Sequence, residues 1–89
     1  MEEVLFKSEE PKNRSEAAAF LRQLADKVET GAVTLRQGDT EQHVDIPQGL
    51  ILETKLEREV KRDKEKMTLE VELEWRPGQA GGAGGVELA

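Results

Sequence analysis

The chain has 89 residues, 36% of them charged and 36% apolar, with 3% aromatic, no cysteine and a formal net charge of −6. That length supports one small core; the missing cysteine excludes a disulfide framework and thiolate chemistry. The acidic balance disfavours a phosphate backbone as partner, so no nucleic acid is expected.

Met1 is followed by Glu2-Glu3 rather than by a basic stretch and an apolar run, so no secretory signal is expected. No apolar run approaches the roughly 20 residues of a membrane span, and a cytoplasmic location is expected. Glu2–Ser8 reads as a short first strand centred on Val4, Leu5 and Phe6. Pro11 lies in the segment that breaks it. Asn13-Arg14-Ser15-Glu16 then has the form of a capping box. Ala17, Phe20, Leu21, Leu24, Ala25 and Val28 recur at the spacing of one helical face. Gly31 can take the left-handed conformation that ends a helix, so a helix is predicted over Arg14–Thr30.

Ala32–Gln37 follows as a strand with Val33 and Leu35 inward. Gly38-Asp39 is a turn signal. In the next strand Gln42, Val44 and Ile46 alternate with Glu41, His43 and Asp45. Pro47-Gln48-Gly49 is a turn. Leu50–Arg62, with Leu50, Leu52, Leu56 and Val60 on one parity, fits a strand and, with Leu52, Leu56 and Val60 four apart, also a helix; the short polar connection Asp63–Lys66 into the next strand favours a long strand. Met67–Arg76 alternates strictly: Met67, Leu69, Val71, Leu73 and Trp75 against Thr68, Glu70, Glu72, Glu74 and Arg76. Period two is the mark of a strand with one buried and one wet face. A four-residue loop would set Glu59 opposite Glu70 and Glu57 opposite Glu72, and like charges so placed are destabilising, whereas a shift of two either way offers Lys55 with Glu72 or Lys61 with Glu70, so the register across Asp63–Lys66 stays open. From Pro77 on, glycine is too dense for a regular element, and a flexible tail is expected over 77–89.

The order β-α-β-β-β-β predicts an α+β domain over 1–76. In it, one helix packs on a four- or five-stranded, mainly antiparallel sheet. Several stretches together resemble the amphi-Trp domain family of small bacterial and archaeal proteins. They are Val4-Leu5-Phe6-Lys7-Ser8, the helix ending Val28-Glu29-Thr30-Gly31, Val33-Thr34-Leu35 with Gly38, and the closing Leu69-Glu70-Val71-Glu72-Leu73-Glu74-Trp75. The resemblance covers residues 2 to 76. It implies a single domain and brings with it no activity, cofactor or catalytic residue.

Candidate chemistry is sparse. His43 is the single histidine, with Asp45 two residues away on the same strand face. Ser8 and Ser15 are the serines, and neither stands in a nucleophile motif. An exposed, inactive histidine is expected. Glu57, Glu59, Glu70, Glu72 and Glu74 could supply oxygen ligands to a hard cation. Alternate residues on a flat strand diverge, however, so these five are read as a solvated acidic face and a candidate interaction face. Lys61–Lys66 reads as a solvated hairpin tip. Trp75, at the strand end, and Phe20, on the helix, are the candidate pocket residues. No cofactor and no metal are expected. The leading function is a non-enzymatic interaction module working through its acidic sheet face or an open edge, as a monomer or weak homodimer. The alternative is a small ligand-binding protein or enzyme with a pocket near Trp75.

Overall fold

The computed structural model describes residues 1–77. It is α+β: helix α1 (Arg14–Thr30) and strands β1 (Ala32–Gln37), β2 (Thr40–Asp45), β3 (Ile51–Lys61) and β4 (Lys64–Glu74). Two compact units divide the chain, Met1–Ile46 and Pro47–Ala89. None of the described residues is fully buried, and no described helix is long and apolar enough to cross a membrane. The tail expected over 77–89 lies, from residue 78, outside the described residues.

In place of one four- or five-stranded sheet, the strands pair as two antiparallel hairpins, β1–β2 and β3–β4. Both pairings are the local ones that a two-residue turn closes. The strand expected at Glu2–Ser8 is not formed, and Val4 and Leu5 are exposed. A strand is defined by the ladder it joins, and the ladders run between β1 and β2 and between β3 and β4.

Helix α1 starts as its sequence predicts. The Asn13 side chain accepts from the Glu16 N–H at 2.8 Å, and the Glu16 carboxylate accepts from the Asn13 N–H at 3.1 Å. Two of the donors that a helix start leaves without partners are thereby satisfied. At the other end Gly31 has φ 92°, and its N–H donates to the carbonyls of Lys27 and Val28. Its own carbonyl accepts from the Ile46 N–H at 2.8 Å. The residue that stops the helix therefore also begins the β1–β2 ladder.

That ladder pairs Val33 with Val44, Thr34 with His43 and Leu35 with Gln42. Directly opposed residues share a face. Val33, Leu35, Gln42 and Val44 are half-buried, as are Leu24 and Val28 of the helix that packs on β1. Thr34, Arg36, Glu41, His43 and Asp45 lie on the other parity and are exposed.

The β3–β4 hairpin differs from expectation at its turn. Arg62-Asp63 closes it, with Lys61 opposite Lys64, and β4 begins at Lys64 instead of Met67. Leu52 then opposes Leu73, Thr54 opposes Val71, and Leu56 opposes Leu69. On the polar face Lys55 opposes Glu70 and Glu59 opposes Lys66, while Glu53 and Glu72 form the one pair of facing carboxylates. The four-residue loop would have faced two glutamate pairs across the ladder, so the tighter turn lowers repulsion. The two registers differ by an even step, so the faces keep their residues.

Two predictions follow from the turn geometry. Gly31 adopts a left-handed conformation that costs a side-chain-bearing residue about 1–2 kcal/mol. Gly31→Ala should lower unfolding stability by about that amount in urea titration. Arg62 has φ 55°. Arg62 already bears that cost, so Arg62→Gly should raise unfolding stability by up to about 1 kcal/mol, because glycine takes positive φ freely, whereas β-branched Arg62→Val should lower it.

Candidate functional site

The polar face of the β3–β4 hairpin carries the five glutamates singled out in the sequence, and the register orders their charge. At the turn end stand Lys61, Lys64 and Lys66 with Glu59. In the middle, the Lys55 ammonium lies 3.6 Å from Glu57 and 3.7 Å from Glu70. Lys61 lies 3.9 Å from Glu59. At the open end stand Glu53, Glu72 and Glu74. Among the described residues, none of these three takes part in an ion pair. The acidic row is thus graded, with Glu57, Glu59 and Glu70 partly neutralised and Glu72 and Glu74 not.

The carboxylate of Glu57 first, and that of Glu70 next, hold the Lys55 pKa above its ordinary value of 10.5, outweighing the opposing effect of desolvation. Opposite charge nearby favours the ammonium form. A pKa raised by folding stabilises the fold fully below about pH 10.5, and that contribution is lost as pH rises through the raised value. Titrating Lys55 Nζ by NMR should show its midpoint falling in Glu57→Gln and, by less, in Glu70→Gln. The stability difference between wild type and Lys55→Gln should disappear at pH values above the raised midpoint.

The first unit holds a cavity of about 440 Å³ between α1 and β1, lined by Phe20, Gln23, Leu24, Asp26, Lys27, Thr30, Val33 and Leu35. Phe20, one of the two candidate pocket residues, is among its lining residues, and Trp75 is not. Trp75 belongs to the second unit, half-buried and one residue past β4. Continuing the β3–β4 register by one step would set it opposite Leu50.

On the outer face of β1–β2 lies an arrangement of which the sequence reading named His43 and Asp45 and missed Thr34. The Asp45 carboxylate sits 3.0 Å from His43 Nε2, and the Thr34 hydroxyl sits 3.1 Å from His43 Nδ1. With Nε2 donating to Asp45, Nδ1 accepts from Thr34. The sequence signal was present in the Gly38-Asp39 turn, because a two-residue closure there places Thr34 opposite His43. The order of acid, imidazole and hydroxyl is that of a nucleophilic triad. Its setting is not: Thr34 lies between Val33 and Leu35, which line the cavity, and so has the opposite parity. The three groups stand exposed on a strand pair, on the face opposite the cavity beside Phe20. They act as a cross-strand bridge that fixes the register, as does Arg36 Nε with Glu41 at 3.0 Å. Among the described residues, no cluster of three or more His, Asp or Glu side chains could hold a metal ion.

One helix, two amphipathic hairpins and a tryptophan closing the last alternating strand define a small α+β protein of amphipathic strands. The family model of the Amphi-Trp domain matches residues 1–89, and the chain belongs to that family. No curated protein and no solved structure matches the chain.

Proposed function

We propose that the chain is a non-enzymatic protein-interaction module of the cytoplasm, acting through the acidic end of its long hairpin. The observation that carries this reading is the gradation of charge along the polar face. Glu57 and Glu70 flank Lys55, and Glu59 flanks Lys61, whereas Glu53, Glu72 and Glu74 have no cation within ion-pair distance among the described residues. Carboxylates without cations of their own are free to receive those of a partner. They are also concentrated at one end, which gives a basic segment both an attraction and a direction. The same charge disfavours nucleic acid.

The test compares Glu53→Gln/Glu72→Gln/Glu74→Gln with wild type, using a lysine- and arginine-rich peptide in fluorescence anisotropy and recovery of partners from lysate at low salt. The reading expects peptide binding that weakens with salt and is lost in the triple variant while its circular dichroism is unchanged. The same proteins recovered with and without the three charges would reduce this face to a solvated surface.

The cavity beside Phe20 favours a second reading, a small-ligand site. Its 440 Å³ falls within the roughly 300–1,000 Å³ of typical ligand pockets. Under that reading an apolar ligand raises the melting temperature of wild type, and Leu35→Trp, which fills the cavity, abolishes the rise.

A further inference from the structure

The other face of the β3–β4 hairpin is aliphatic along most of its length. Leu52, Leu56, Val60, Met67, Leu69 and Val71 are each between 55% and 70% exposed. A two-stranded sheet with an apolar face is marginal in water unless something packs on it, and a continuous exposed apolar face marks an interaction surface. Burying a side chain of this kind removes on the order of 60–120 Å² of apolar surface, so the six offer about 400–700 Å². The half-exposed Leu73 and Trp75, of the same parity, add to it. A standard interface takes about 800 Å² from each partner, so this one face nearly suffices.

The charges on the face indicate what covers it. Among the residues paired across this side of the ladder, it carries one cation, Arg58, and one anion, Glu65, opposite Met67 and Val60 respectively. They are diagonal neighbours, yet neither belongs to an ion pair among the described residues. A surface with one charge of each sign complements itself, whereas a partner of either sign would satisfy only one. The apolar ladder is matched in the same way, since leucine opposes leucine at Leu52–Leu73 and at Leu56–Leu69.

We propose that this face binds a second copy of the chain in a face-to-face, two-fold dimer whose axis runs parallel to the strands. In that arrangement β3 of each copy lies over β4 of the other. Leu52 meets Leu73 and Leu56 meets Leu69 across the interface, and Arg58 reaches Glu65 of the second copy. Such an isologous contact closes on itself. It leaves both acidic faces outward and does not rest on the reading of them given above.

Sedimentation equilibrium of the full chain should give twice the 9.9 kDa chain mass. A mixed sample of labelled and unlabelled chains should show intermolecular NOEs among the Leu52, Leu56, Leu69 and Leu73 methyls. Leu56→Glu should be a folded monomer, and Thr68→Lys, on the opposite face, should remain a dimer. If Leu56→Glu does not fold, the charge pair decides. Arg58→Glu and Glu65→Arg should each weaken the dimer by about tenfold, and the double reversal should return its dissociation constant to within about threefold of wild type. A monomer at every concentration overturns the proposal, whether the face stays bare or is covered from within the chain. So does a dimer that survives in folded Leu56→Glu, or that is indifferent to both charge reversals.

Discussion

Two residues, Arg62 and Asp63, close the β3–β4 hairpin, and a two-residue closure admits one register. From that register come the lysine between two glutamates, the bare carboxylates at the open end, and leucine facing leucine on the other side. A hairpin two residues longer at its turn would keep the same faces and lose this arrangement of charge. The chemistry of the second unit is thus set at a tip that takes no part in it. It is held there by a backbone conformation that arginine adopts only at a cost.

The first unit depends on Gly31 in a comparable way. Its N–H ends the helix and its carbonyl takes the first cross-strand bond from Ile46. Because helix and hairpin meet at one residue with nothing between them, the apolar side of α1 is delivered onto β1. Leu24 and Phe20 come to line a cavity with Val33 and Leu35. Residues at the ends of elements, more than the elements themselves, place the side chains that matter here.

These features were unequally legible in the sequence. The helix was readable to its ends, because Asn13, Glu16 and Gly31 each perform a local task that their chemistry announces. The faces of β3 and β4 were readable because alternation is itself the signal. The turn between them was not. Neither glycine nor asparagine marks it, and the polar run Asp63–Lys66 resembles a loop even though three of its residues belong to β4. The apolar triplet Val4-Leu5-Phe6 suggested a strand, but a strand exists through a partner that no local pattern names. The graded acidic face lay between these cases: its five glutamates were evident, while their division into neutralised and bare required the register. The Thr34–His43–Asp45 bridge was recoverable from the Gly38-Asp39 turn, had opposition across it been counted.

Both sheets are hairpins with two-residue closures, which bears on how the chain reaches its fold. Every ladder partner lies within one hairpin, so pairing needs no distant loop closure, and contact order within each ladder is low. Hairpins form in roughly 1–10 μs, whereas a ribosome adds about 5–20 residues per second. The contacts of the first unit are complete by Ile46. Once those residues have left the ribosome, that unit can search its pairings before β4, already synthesised but still inside the exit tunnel, follows them out.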